Sequence, residues 1–264
     1  MSRPSVSAVI ICQDEEAHIG ACLDGLAWCD ECVVVDSGSA DRTVAIAQGR
    51  GARVLHHDWP GYVAQKNWAL DQAKGDWVLS LDADERCTDG LRAEIERVLS
   101  AGPRAHGYAV RRHVYYLGRW IDHGGWYPDW KVRLVEKGRA RWGGVDPHDK
   151  LECDGDPERL DGDLVHYTYP DFAGHLRTVQ KFSDVVAAEW EREGRPFRWW
   201  RAVLHPPVKF LECFVWKSGW RDGWPGFVIA VTSAFYVFAK YVKLWERGPA
   251  GPDASGGASC GSST

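Results

Sequence analysis

Four short apolar runs in the first 82 residues, alternating with helical patterns, constrain this chain more than any other feature. They fall at residues 7–12, 32–35, 53–56 and in the stretch 77–85, whose apolar half is 77–81. Between them the sequence predicts helices over 17–29, 42–48 and 62–73, with Asp41 placed to cap the second and Gly49, Gly51 and Gly75 acting as stops. No hairpin signal joins neighbouring strands, so the connections are right-handed crossovers and the sheet is parallel, buried on both faces. The expected class is therefore α/β. Neither a Gly-x-Gly-x-x-Gly turn nor a Walker lysine loop is present, which removes the dinucleotide and P-loop modes of phosphate binding.

The fourth run ends abruptly in Asp82-Ala83-Asp84-Glu85. Because strand side chains alternate, Asp82 and Asp84 share one face with Ala83 turned the other way, roughly 6 to 7 Å apart along the strand. Oxygen ligands suit Mg²⁺ or Mn²⁺, ions that keep positions open for water or for phosphate oxygens. Ligands of open α/β sheets also gather at the carboxyl ends of strands. Taken alone, an Asp-x-Asp is as readily a helix cap or a solvated turn, so its surroundings must decide.

Beyond it, Thr88 or Asp89 caps a helix that places Leu91, Ile95, Val98 and Leu99 on one face. Strands follow at 108–115 and 131–135, separated by a Gly-rich aromatic loop over 117–130. Phe172, Leu176, Val179, Phe182, Val186 and Trp190 then mark one face of a long amphipathic helix. Fifteen Trp in 264 residues point to sugar stacking, to a bilayer interface, or to both. A net charge of −5 argues against nucleic-acid binding as a property of the whole chain and leaves local basic patches open.

That charge is unevenly spread. Residues 195–247 hold nine Lys or Arg against three acids. Within them, 226–239 is apolar but only fourteen residues long, where a spanning helix needs about 20. Trp220, Trp224, Trp245, Lys240, Lys243 and Arg247 flank it, as around a helix lying in the headgroup layer; the alternative is a buried helix in a second lobe. Residues 248–264, rich in Gly, Ser and Ala, read as a disordered tail. The eight cysteines include a single Cys-x-x-Cys, Cys29 and Cys32, with no second pair for zinc, and are expected to be reduced cytosolic thiols. The first apolar run is too short for a signal peptide.

Several motifs in combination resemble the family 2 glycosyltransferases of GT-A fold. They are the Asp-x-Asp closing the fourth strand, Val33-Val34-Val35-Asp36-Ser37-Gly38-Ser39 with Asp41 and Thr43, and Ala64-Gln65-Lys66-Asn67 with Ala69. Gly125-Trp126-Tyr127-Pro128-Asp129-Trp130-Lys131-Val132-Arg133-Leu134, Asp222-Gly223-Trp224-Pro225-Gly226 and Ser233-Ala234-Phe235-Tyr236 are similar to the lipopolysaccharide core glucosyltransferases within that family. Two departures stand out. Asp14-Glu15 replaces the usual Asn-Glu, and Val145-Asp146-Pro147-His148-Asp149 replaces a shorter Val-His-Glu.

The resemblance implies a GT-A domain over 1–165, a helical, membrane-associating extension over 166–247 and the tail over 248–264. It implies a UDP-sugar donor, Mg²⁺ or Mn²⁺, and inverting β-1,4 transfer of glucose to a heptose of a lipid-linked oligosaccharide. The protein would be cytoplasmic, peripheral on the inner membrane. Asp84 would hold the metal, with Asp82 facing the ribose or binding the ion through water, and His148 a further metal or phosphate contact. Lys66 would meet the diphosphate, Asp36 the uracil, and Cys12 and Glu15 would border the nucleotide. Asp129 is the expected base, with Asp149 its rival. Trp126, Tyr127 and Trp142 either stack on sugars or fill core. A polyprenyl-phosphate sugar transferase and a non-catalytic carbohydrate- or lipid-binding module on the same fold are the competing readings.

Overall fold

The computed structural model describes residues 3–145 and 148–248, and the side chains of Val145 and His148 lie outside that description. Strands β1 (Val6–Cys12), β2 (Glu31–Asp36), β3 (Arg53–His56) and β4 (Trp77–Asp82) alternate with helices α1 (Ile19–Asp24), α2 (Thr43–Gly49) and α3 (Tyr62–Gln72). β1, β2, β3 and β4 pair in parallel, as the strand–helix alternation requires. Their register levels the carboxyl ends: Cys12 lies opposite Asp36, and Ile11 opposite Asp82.

Then the sheet turns mixed. β5 (Glu85–Cys87) and α4 (Asp89–Ala101), capped by Thr88, lead into β6 (Gly107–Tyr116), β7 (Arg119–Ile121), β8 (Asp129–Glu136), β9 (Ala140–Val145), β10 (His148–Cys153) and β11 (Glu158–His166). The sheet runs β3-β2-β1-β4-β8-β6-β11-β5, with β8 antiparallel to β4 and β6, while β9 and β10 form a separate hairpin. Side chains alternate between its faces. Val6, Ala8 and Ile10 of β1 join Ile19, Leu23, Leu91 and Ile95 in one core, whereas Val9 joins Val33, Val35, Ala69, Leu70 and Trp142 in the other.

The expectation that β4 continues through Asp84 is corrected. β4 stops at Asp82, and Ala83 and Asp84 form a turn into β5, so the two aspartates are not successive members of one strand face. The turn stays in place because Glu85 is fully buried and its carboxylate accepts the Asp82 amide at 3.0 Å. The first helix is also shorter than 17–29, since Gly25 begins a run of turns.

By compactness the chain divides into two units: residues up to Tyr115 with Tyr127–Thr168, and Tyr116–Trp126 with the chain from Tyr169. The second unit contains α5 (Phe172–Arg192), α6 (Trp199–Leu211), a π-helical turn (Glu212–Trp216), a 3-10 turn (Gly219–Asp222) and α7 (Gly223–Arg247). α6, with Pro206 and Pro207 inside it, escaped the sequence reading, because paired prolines argue against a helix interior. The apolar run at 226–239 is part of a helix of 25 residues. Gly226 lets that helix start close against the 3-10 turn: a Cβ there would sit 1.9 Å from the Gly219 carbonyl oxygen. Residues 249–264, expected as a tail, lie outside the described residues.

Candidate active site

The site grows from one buried lysine. Lys66 lies on the inward face of α3, 7% exposed, a position that would be expensive for an ammonium without partners. It has two: Asp82 Oδ1 at 2.9 Å and Asp149 Oδ2 at 2.8 Å. Burial works against its charge, but Asp82 and Asp149 outweigh burial and the repulsion of Arg133, and hold its pKa above the ordinary lysine value.

The neighbours of Lys66 explain the rest of its motif. Gln65 donates to the Ser37 hydroxyl and the His57 carbonyl, tying α3 to the segments that follow β2 and β3. Asn67 brackets Trp142, donating to its carbonyl at 2.8 Å and accepting from its amide at 2.9 Å. These two bonds fasten the β9–β10 hairpin to α3. In consequence the buried Trp142 ring lies 4.3 Å from the Lys66 ammonium and 5.7 Å from the Arg133 guanidinium, and Asp149 arrives on β10 within reach of Lys66.

Arg133 is one of two site residues that sequence reasoning missed. Antiparallel β8 carries it toward the carboxyl end of β4, where its guanidinium donates to Asp82 Oδ2 at 3.0 Å and to Glu85 Oε1 at 2.6 Å. Arg112 on β6 lies 3.8 Å from the same Glu85 oxygen and 2.8 Å from Asp129 Oδ2, and Lys131 reaches Asp129 at 3.2 Å. Asp149, Lys66, Asp82, Arg133, Glu85, Arg112, Asp129 and Lys131 thus form one chain of alternating charge. Both carboxylates expected as rivals for the base belong to it, near opposite ends. Burial raises the Asp82 pKa, yet Lys66 and Arg133 outweigh burial and hold it well below the usual carboxylate range.

Asp84 stands beside this chain. Its carboxylate meets His166 Nε2 at 3.0 Å, and its carbonyl accepts from the Tyr167 amide. β11 delivers the histidine by pairing with β5, which sets His166 opposite Glu85. His166 Nδ1 is buried and has no hydrogen-bond partner among the described residues. Sequence alone held no signal for this residue, since it lies 82 positions from Asp84.

The other expected residues are placed as follows. Asp36 is buried and accepts from the amides of Gly38 and Ser39, each at 3.0 Å, so its carboxylate organises the loop after β2. Cys12 lies beside it, Sγ to Oδ1 3.8 Å, its thiol pushed well up by burial first and then by Asp36 and Glu15. Tyr127 donates its hydroxyl to Asp163 at 3.0 Å. Trp126 belongs to the second unit, where its ring packs with those of Tyr116, Tyr169 and His175. Within the first unit, Tyr127 and Trp142 therefore have different partners. The side chain of His148, expected as a further metal or phosphate contact, lies outside the described residues.

Glu15, in the turn after β1, has its pKa raised to about 7 by burial, with Asp84, Asp41 and Asp82 adding to the effect. Its folded value exceeds its unfolded one, so stability is full below about pH 4.3 and falls as pH rises toward 7. Glu15→Gln is expected to gain about 1–2 kcal/mol at pH 8, after discount for partial exposure, and nothing at pH 4. Urea unfolding at the two pH values checks this, and an equal change at both would refute it.

The chain matches the family model "Glycosyl transferase family 2" over residues 7–148. It is 31% identical over 249 residues to the lipopolysaccharide core biosynthesis glycosyltransferase LpsC of Rhizobium meliloti (strain 1021), covering 92% of each chain. An uncharacterized glycosyltransferase of Rickettsia bellii (strain RML369-C) is 42% identical over 253 residues, covering 91% of this chain and 86% of that one. Among solved structures, Mycobacterium tuberculosis glucosyl-3-phosphoglycerate synthase in complex with Mn²⁺, UDP and glucosyl-3-phosphoglycerate aligns with TM-score 0.35 and 24% identity, covering 42% of this chain and 44% of that one. The chain belongs to glycosyltransferase family 2. It has the GT-A fold of that family, and is a glycosyltransferase.

Proposed function

We propose that the protein is an inverting transferase that moves a hexose, glucose in the first instance, from a UDP-sugar to a hydroxyl of a lipopolysaccharide core sugar such as heptose. It would work on a lipid-linked oligosaccharide at the cytoplasmic face of the inner membrane. The observation that carries the reading is the meeting of Lys66, Asp82, Arg133 and the Asp84–His166 pair at the carboxyl edge of the parallel strands. The likeness to a lipopolysaccharide core enzyme along almost the whole chain supports the acceptor class.

A metal fits the Asp84–His166 pair better than it fits Asp82, whose two oxygens are committed to Lys66 and Arg133. One carboxylate and one imidazole suit Mn²⁺, with Mg²⁺ the harder alternative. Among the described residues no third His, Cys, Asp or Glu joins them in a metal-holding group, so donor oxygens and water would complete the shell. When bound, the ion would supply positive charge where the diphosphate leaves.

The protein's own residues would do the remainder. Lys66 would turn its ammonium from Asp149 to a diphosphate oxygen, keeping Asp82 as its anchor. Asp129 would take the acceptor proton as the acceptor oxygen bonds to the anomeric carbon and the bond to UDP breaks on the opposite face. Asp149 is its rival, freed as a base if Lys66 moves to the donor.

Calorimetric titration with UDP tests the reading. Mn²⁺ is expected to tighten UDP binding, and Asp84→Ala to weaken binding in Mn²⁺ by at least about tenfold, the worth of one charge-assisted contact. UDP binding that is absent, or indifferent to metal in the parent protein, would overturn it and favour a non-catalytic module.

A further inference from the structure

Among its described residues the second unit has two exposed apolar stripes. On α6, Trp199, Val203, Leu204, Val208 and Leu211 are all exposed, and Val215 and Trp216 continue the run through the π-helical turn. On α7, Trp224, Phe227, Val231, Phe235, Phe238 and Trp245 are exposed. They step by three, four, four, three and seven residues, a spacing that keeps them on one side of the helix for about 30 Å. Ile229, Ala230, Thr232 and Tyr241 occupy the other side and are buried within the unit. Patches of this size are uncommon on soluble monomers and mark docking surfaces.

The charges around the stripes identify what covers them. Residues 195–247 hold nine cations and three acids. Two of those acids are engaged internally: Glu212 pairs with Lys209 and Lys217, and the buried Asp222 accepts from His123. Among the described residues Arg198, Arg201 and Arg221 have no carboxylate partner. Exposed Trp199, Trp216, Trp220 and Trp224 lie among these cations, the composition of a helix pair seated at the level of lipid headgroups. A protein partner is the less suitable occupant, because tryptophan beside uncompensated arginine matches an apolar layer topped by phosphate.

By length and composition alone, the helix over 219–247 could cross a membrane. Its packing argues for a different placement. Lys243 pairs with Asp184 of α5 at 2.9 Å, and Arg247 reaches Glu191 at 3.6 Å. Those ion pairs and the charged surface of α5 would be costly inside hydrocarbon, so α7 keeps one side on protein and offers only its stripe to lipid.

We propose that the exposed sides of α6 and α7 together are a docking surface for an anionic bilayer, with their tryptophans at the acyl boundary and Arg198, Arg201 and Arg221 against headgroup phosphates. The proposal deepens the reading of a lipid-linked acceptor. It is tested without donor or turnover, so its failure is distinguishable from failure of the transferase reading.

The experiment is flotation of the full chain with phosphatidylcholine vesicles, with and without about 30% phosphatidylglycerol, a composition that sets the surface potential. Binding is expected to require the anionic lipid. Trp199→Glu with Val208→Glu, and separately Phe235→Glu, should each lower the partition coefficient at least tenfold, with cooperative thermal unfolding as the check on folding. Replacing Arg198, Arg201 and Arg221 by Gln should abolish the preference for anionic vesicles; among the described residues none of the three pairs with a carboxylate, Arg201 resting only on the Trp200 ring at 5.2 Å, and cooperative thermal unfolding again checks the fold. Unchanged flotation in either Glu variant, or an undiminished anionic preference in the Gln variant, would overturn the proposal. So would a dimer in solution that the Glu variants dissociate, which assigns the face to a second copy, or resistance to alkaline extraction, which assigns α7 to a membrane span.

Discussion

Arg133→Met is expected to destabilise the protein by about 3–5 kcal/mol at pH 7, the range for breaking a buried ion pair from one side. Arg133 is 4% exposed and Glu85 is fully buried, so removal of the guanidinium leaves Glu85 with the Asp82 amide and a distant Arg112, at 3.8 Å, and Asp82 with Lys66. Methionine fills much of the volume, so the loss is chiefly one of charge. Its pH dependence follows from Asp82, whose folded pKa lies below its unfolded one. The stabilisation this gives is present above the unfolded carboxylate value, about 4, and is lost as pH falls through the folded value. The penalty of Arg133→Met is therefore full at pH 7 and shrinks below about pH 4. Urea unfolding across that range measures it. A loss under 1 kcal/mol at pH 7, or one that ignores pH, would show the charge chain to be incidental to stability.

Asp129→Asn should keep UDP affinity within about threefold while turnover falls by about 10³, within the range for a general base. Asparagine still accepts from Arg112, so the local fold survives and the lost property is proton acceptance. Asp149→Asn is the comparison. It removes one of the two anions that hold Lys66, and is expected to raise the donor KM more than it lowers kcat. Turnover near the parent level in Asp129→Asn, with collapse in Asp149→Asn, would transfer the base to Asp149. Product mass and linkage from a panel of UDP-sugars would identify the sugar in the same assay.

The parallel half of the sheet was legible because its signals are local. Four apolar runs, each separated by a helix, leave a single arrangement, and β1 to β4 follow it. The motif at Lys66 was legible as chemistry but not as geometry. A lysine on an eleven-residue helix reads as a surface group until the hairpin fastened by Asn67 covers it. The Asp-x-Asp was read correctly as acidic and incorrectly as extended strand. What bends it is Glu85 reaching back to the Asp82 amide, a contact that alternation cannot foresee. β9, β10 and β11 gave weak patterns because charged residues interrupt their apolar positions, yet β10 and β11 deliver Asp149 and His166.

Sequence by itself determined the class of fold, the strand ends at which acidic residues gather, and the concentration of cations and tryptophan after residue 195, because each depends on neighbours in the chain or on composition. Tertiary structure alone decided which charges meet. Asp149 and Lys66 are 83 residues apart and Arg133 and Asp82 are 51 apart, and only antiparallel β8 and the β9–β10 hairpin bring them within 3.0 Å. It also decided which side of α7 is left uncovered, since that depends on where α5 and α6 pack. Contacts of this length are set by the competition to pair every buried charge, and no local window of sequence contains both partners.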